Sequence, residues 1–401
     1  MPFHPALVIA FLTSLMAVGH VSNNMYTPSM PSMSEYFATD AATVQLTMSV
    51  YLLAFAVAQL AYGPLSDRFG RRPVLIAGLI LYAVASAAAA FSGSITVLIV
   101  MRAFQAFGAC AGPVIARAMV RDLFGREQAA KVMAYIGLAM GAAPAFAPVL
   151  GGFLQTWFGW QASFVFITGF AVAVLVLTWT RLEETNTERS ETQGWWLIVE
   201  MVRNYWRLLK SREYLGFVVT GSFVFAGVFA FMAGAPFVVI EILGYSPVNF
   251  GLVSIAPIGG YVVGSFFTSR VAERLGVDRL VPLGISILFA GALVLLGVAL
   301  MGSLSIYSIY VPMTFMSFGM AVVFPSTLAG SISVHPEIAG AGSALYGFLQ
   351  MAAAAAGIYI SGIFEDGTEM PMIWTVSLAI FAAAAAAIVA AWGRKRATAA
   401  A

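Results

Sequence analysis

Of the chain's 401 residues, 61% are hydrophobic and 9% charged, whereas soluble globular domains carry about 25% charged residues, so the sequence reads as a polytopic membrane protein. Its net charge of +2 is spread over short loops, which gives no massed cationic face for nucleic acid. The single cysteine, Cys110, lies inside an apolar run and reads as a small buried residue; it excludes a disulfide framework and a cysteine-type metal site.

A hydrocarbon core of about 30 Å needs about 20 apolar residues per helix. Apolar runs between charged or Pro/Gly breaks predict twelve spans near 5–27, 44–66, 73–92, 95–117, 132–154, 161–180, 214–236, 247–268, 280–301, 304–327, 339–362 and 373–392. The first run lacks a basic leader and a convincing small-residue cleavage site, and is read as a retained helix.

Between the second and third runs lies Gly63 to Leu75, GPLSDRFGRRPVL. Asp67, Arg68, Arg71 and Arg72 crowd this short loop, with Gly63, Gly70 and the helix-stopping Pro73 around them. Such a charge cluster belongs in water at one membrane face, and arginine excess marks the cytoplasmic face. Alternation then places nineteen of the twenty Lys and Arg in cytoplasmic segments. The outer loops hold Glu35, Asp40, Glu241, Glu365, Asp366 and Glu369 and no basic residue. Both termini are therefore expected in the cytoplasm.

An internal repeat is also visible. Asp67-Arg68-Phe69-Gly70 has a degraded counterpart in Glu273-Arg274-Leu275-Gly276, and Glu127 with Gly137 aligns with Glu337 and Gly347; both echoes are a little over 200 residues apart. The expected organisation is a six-helix half over 1–180, a cytoplasmic linker over 181–213 and a second six-helix half over 214–401. The linker's Trp195-Trp196-Leu197 and Tyr205-Trp206-Arg207-Leu208 suit an interfacial helix lying on the membrane.

Few polar groups fall within the bilayer. Arg102 is the twentieth basic residue; a mid-helix charge costs about 2.5–3.5 kcal/mol on insertion scales and is normally paired or facing water. Gln105 shares its face. Two readings stand for Arg102: an active role in orienting substrate or governing a proton site, or a snorkelling side chain with one structural hydrogen bond. The fifth span carries Gly137, Gly141, Pro144, Pro148, Gly151 and Gly152, which predicts a bent, tightly packed helix. Cavity-wall candidates are His20, Asn24, Tyr26, Tyr51, Gln59, Arg102, Gln105, Phe225, Phe229, Tyr346 and Gln350, an aromatic set with few polar anchors that suits amphiphilic organic molecules. There is no Walker-type loop, and His4, His20 and His335 are too dispersed for a local metal motif. Neither an enzyme nor a cofactor is expected.

The Gly63–Leu75 loop resembles the G-x-L-x-D-R-x-G-R-R-x-x-L loop of the major facilitator superfamily of secondary transporters. That resemblance implies an all-α membrane protein of twelve helices in two pseudo-symmetric halves, with a substrate site at the repeat interface. It also makes Gly63, Asp67, Arg68, Gly70, Arg71 and Arg72 a conformational latch. Arg102 resembles the intramembrane arginine of the family's second motif, and Gly141, Pro144, Pro148, Gly151 and Gly152 resemble its antiporter hinge motif. The stretch His20 to Pro31 is similar to the S-T-D-M-Y-L-P-A-L-P of the bicyclomycin- and chloramphenicol-resistance drug:proton antiporters (Bcr/CflA). Segments 116–124, 235–238 and 340–350 share that likeness. The branch implies a bacterial inner-membrane protein, acting as a monomer, that exports small drugs or metabolites in exchange for protons.

One position departs from the branch. Asn24 stands where an intramembrane aspartate is expected, and all eighteen Asp and Glu fall in loops or at span ends. An amide does not titrate. Three readings stand: Asn24 mimics the protonated acid; His20, one turn earlier, takes the proton; or Glu35 or Glu241 does. An uptake symporter or uncoupled facilitator is the alternative function, and a non-transporting membrane sensor a remoter one.

Overall fold

The computed structural model describes residues 5–186 and 194–400, with their side chains except at 5–6, 125–131, 134–135, 137–145, 194–198 and 393–400. The chain runs as α1 (Pro5–Asn24), a 3-10 turn (Thr27–Ser29), α2 (Met30–Tyr36), α3 (Ala41–Phe69), α4 (Arg71–Ala90), α5 (Ile95–Phe158), α6 (Gln161–Arg181) and α7 (Gly194–Lys210). After it come α8 (Arg212–Pro236), a π-helical turn (Phe237–Ile242), α9 (Pro247–Val253), α10 (Ile255–Leu275), α11 (Val277–Leu300), α12 (Ile306–Val334), α13 (Ala339–Ile363) and α14 (Met370–Ala400). Among the described residues every regular element is helical, and eleven stretches are long and apolar enough to cross a membrane. In the expected span 132–154 the side chains of 134–135 and 137–145 lie outside the described set.

Four expected spans differ from the observed helices. The first ends at Asn24 because Pro28 and Pro31 cannot donate to a helical ladder; the chain passes instead through the 3-10 turn into α2. The eighth is broken at Ser254 into α9 and α10. The fourth and fifth share one helical backbone, Ile95–Phe158, since the Arg, Leu, Glu, Gln, Ala and Lys of the connection are good helix formers. That backbone nonetheless reverses. A Cβ on Gly112 would strike the carbonyl of Leu15, and one on Gly151 the carbonyl of Met25. Thirty-nine residues of straight helix would span about 58 Å, whereas Leu15 and Met25 are about 15 Å apart along α1. The two arms of α5 therefore lie side by side against α1, turning back between the Gly112 and Gly151 contacts.

The chain divides into two compact units, Met1–Thr192 with Tyr245–Leu252, and Gln193–Gly244 with Val253–Ala401. This differs from the division at 180 and 214 in two ways: α7 groups with the second unit, and α9 with the first. The second grouping has a local cause, since Gly152 abuts the Pro247 carbonyl and Gly251 the Pro148 carbonyl. Small residues on both sides bring the two backbones together where apolar burial gives no drive between helices in lipid.

Within the first unit the core of α1, α4 and α5 holds Leu12, Leu15, Leu75, Leu79, Ile115 and Met119. Within the second, α8 packs on α13 and α14 while α12 packs on α10 and α11. There Tyr214 donates to the Gly342 carbonyl at 2.7 Å. The repeat is legible in the helix junctions. Gly70 (φ 100°) ends α3 and begins α4, and Gly276 (φ 66°) does the same between α10 and α11. Each holds a left-handed backbone that favours glycine. Ser94 and Ser305 likewise cap α5 and α12.

Candidate functional site: a caged arginine in the first unit

Arg102 is fully buried in the first arm of α5. Its guanidinium donates to the Thr47 carbonyl (3.4 Å), the Ser22 carbonyl (3.2 Å), Gln105 Oε1 (2.6 Å) and Asn23 Oδ1 (3.4 Å). The Tyr26 and Tyr51 rings lie 4.3 and 4.2 Å from it, with Phe164 at 6.0 Å. Planar stacking and a fixed fork of donors are what arginine offers and lysine lacks. Desolvated cation–π contacts contribute about 2 kcal/mol or more, which offsets much of the cost of a charge inside a span. Among the described residues all four acceptors are neutral, so the cation sits in a cage of carbonyls, amides and aromatic faces.

The groups that hold Arg102 are themselves held by hydrogen bonds. Gln105 donates to Ser86 (2.8 Å), which donates to the Tyr82 carbonyl (2.6 Å); Ser22 and the Tyr82 hydroxyl share a hydrogen bond. Tyr26 and Thr47 pair their hydroxyls at 3.0 Å, and Tyr51 donates to the Gly19 carbonyl at 3.2 Å. Of the expected wall residues, Tyr26, Tyr51, Arg102 and Gln105 thus meet in one place. Gln59 is half-buried farther along α3, and His20 is exposed.

Asn24 is 5% exposed, and its Oδ1 has no protein partner. The arginine's amide is its neighbour Asn23, which the sequence reading passed over. Gln45, 1% exposed near the start of α3, has both amide atoms unpartnered; the sequence signal for it is an amide among apolar residues in the first turns of a span. Buried polar atoms are nearly always satisfied, so Asn24 and Gln45 are places for water or a ligand group.

In the second unit the Phe225 and Phe229 rings lie 4.7 Å apart, tilted by 38°, and Phe324 of α12 lies 4.9 Å from Phe225. One turn on, Thr327 and Tyr346 pair at 2.8 Å, with Gln350 donating to the Tyr346 hydroxyl at 3.5 Å. Among the other acids proposed as proton carriers, Glu35 and Glu241 are exposed.

The expected Gly63–Leu75 loop is helical except at Gly70, since α3 runs to Phe69 and α4 starts at Arg71, with Pro73 in its first turn, where a missing amide costs no helical bond. The segment is built around Arg71, which is 5% exposed. It pairs with Asp67 at 2.5 Å and Asp122 at 3.1 Å, and donates to Ser66 at 2.6 Å. The α4 amides of Arg71 and Arg72 donate to the Glu184 carboxylate at 2.8 and 3.2 Å, an anion at a helix N-terminus. Arg72 donates to the Trp179 carbonyl at 2.8 Å. Arg68 lies over the Phe69 ring, and Gly63 has open space around it. Asp122 and Glu184 complete this cluster from residues far away in sequence, which charge pattern alone does not pair. In the hinge motif Pro148, Gly151 and Gly152 make the contacts described above, whereas the side-chain surroundings of Gly141 and Pro144 lie outside the described residues.

Residues 12–358 match the sequence profile of the Major Facilitator Superfamily. The chain is 30% identical to the chloramphenicol resistance protein of Pseudomonas aeruginosa, over 92% of this chain and 87% of that one. It is 29% identical to multidrug resistance protein D of Escherichia coli K12 (86% and 85%), and 28% to a bicyclomycin resistance protein homolog of Haemophilus influenzae (89% and 89%). The crystal structure of a bacterial homolog of the human lysosomal transporter Spinster shares the fold, with TM-score 0.74, 13% identity, and 96% and 95% of the chains covered. The chain therefore belongs to the major facilitator superfamily, in its bicyclomycin- and chloramphenicol-resistance branch, as a multi-pass membrane transporter and not an enzyme.

Proposed function

We propose that the protein exports small amphiphilic drugs or metabolites across the bacterial inner membrane by alternating access, with both termini in the cytoplasm. The observation that carries this reading is the likeness, over nearly the whole chain, to relatives named for resistance to chloramphenicol, to bicyclomycin and to many drugs. In the first unit Tyr26 and Tyr51 would offer aromatic walls to a substrate with Asn24 and Gln59 as polar anchors, and in the second Phe225, Phe229 and Tyr346 would do the same with Gln350. Arg102 and Gln105 would hold the walls in register from behind. The Arg71–Asp67–Asp122 cluster would act as the cytoplasmic latch, and the Gly151–Gly152 contacts as the hinge.

Proton exchange is the branch's energy source, and Asn24 would stand in the coupling position as a neutral mimic of a protonated acid. A second reading, an uncoupled facilitator or an uptake symporter, is favoured by one observation: the cage around Arg102 is built from neutral acceptors. Cells producing the Asn24→Asp variant, loaded with a panel of amphiphilic antibiotics, are expected to retain less of at least one compound than cells without it, and cells producing the Asn24 protein to release that compound only down its gradient. Equal retention across the panel counts against export, and raised accumulation favours uptake.

A further inference from the structure

At 100° per residue, Val199, Val202, Trp206 and Leu209 of α7 share one narrow arc, and they are 38, 57, 60 and 38% exposed. Arg203 and Lys210, both exposed, border that arc on one side, with Lys210 Nζ 5.1 Å from the centre of the Trp206 ring. Arg207 and Glu200 lie beyond them, and Arg207 pairs with Glu337 at 2.8 Å. The opposite face is anchored: Leu208 is buried with Tyr214, Val218, Leu345 and Tyr346, and Tyr205 packs on the same cluster. Only Ser211 separates α7 from α8, so the helix lies at the level where spanning helices end.

We propose that α7 is an anionic-lipid binding element, whose apolar stripe and basic border dock on phospholipid headgroups and whose anchored face passes that docking to α13. The occupant follows from chemistry. Trp and aliphatic groups on one arc with Lys and Arg at its edge lie in the headgroup plane, and a basic border favours acidic headgroups by about 1 kcal/mol per charge, or about fivefold. The transmission runs from Tyr205 and Leu208 to Leu345 and Tyr346, and thence to Thr327 and Gln350. Its meaning for transport rests on the export reading; the docking itself does not.

A bimane label on Val202→Cys, in a Cys110→Ala background, reports the docking in vesicles of phosphatidylcholine alone or with one part in three phosphatidylglycerol. With phosphatidylglycerol, quenching by headgroup-level nitroxide lipid is expected to rise and quenching by aqueous iodide to fall. Arg203→Gln with Lys210→Gln is expected to reduce that dependence about fivefold per charge removed, with an unchanged unfolding midpoint. Iodide quenching that ignores lipid composition, or a double variant that keeps the full dependence, overturns the docking. Hydrogen exchange over 339–350 is expected to slow with phosphatidylglycerol and not in the double variant. Exchange indifferent to lipid overturns the transmission, whatever the transport assays give.

Discussion

At the scale of the residue, Arg102 decides most. Replacing it orphans two backbone carbonyls and two side-chain amides, each worth about 1–3 kcal/mol when buried and unmet. Arg102→Gln is expected to lower the unfolding midpoint in detergent markedly, and Arg102→Lys to recover little of it, because an ammonium cannot reproduce the fork. A Lys variant as stable as the parent would contradict the cage. The i, i+3 pairing with Gln105 was legible in the sequence. The choice of Asn23 over Asn24 was not, because adjacent helical residues point about 100° apart and only the position of α5 settles which faces the guanidinium. Two loop acids give opposite pH signs. Hydrogen bonds from Thr43 hold Asp40 below the ordinary carboxylate range, so its contribution is present above its unfolded pKa and lost as pH falls. Burial, with Asp366 and Glu241 nearby, raises Glu365, so its contribution is present at low pH and lost as pH rises through its folded value. Glu365→Gln is expected to flatten the pH dependence of unfolding on that side, and an unchanged profile would count against a buried acid there.

At the scale of the element, close packing follows small residues. Gly151→Ala would force its methyl onto the Met25 carbonyl, and overpacking of this kind costs about 1–3 kcal/mol. Gly63→Ala meets open space and is expected to hold or raise stability, by up to about 1 kcal/mol for glycine replaced within a helix. Thermal unfolding of both variants checks the contrast; equal midpoints would contradict the packing of α5 on α1. Hydropathy found the two arms of α5 but not the helical backbone joining them, since burial and local propensity are separate signals. It placed a charged loop over 63–75, where α3 and α4 in fact run on to meet at Gly70, and it left unseen the Glu184 carboxylate that caps α4 from just beyond α6.

At the scale of the whole molecule, the division of basic residues predicted an orientation. An external impermeant maleimide is expected to label Gly93→Cys, in a loop with open space, and to miss Arg68→Cys in intact cells; the reverse pattern would invert the topology. The grouping of α9 with the first unit was not legible from the repeat, because it depends on Gly152 and Gly251 meeting across distant segments. The functional reading turns on the coupling position. Asn24→Asp is expected to place a titratable group beside the unpartnered site, and His20→Ala in that background to leave coupling intact. The most direct test reconstitutes the protein and its Asn24→Asp variant in liposomes and records proton movement when amphiphilic antibiotics are added. A proton signal from the aspartate variant alone is the predicted result. Equal signals from both proteins would contradict the account and move the proton site away from position 24.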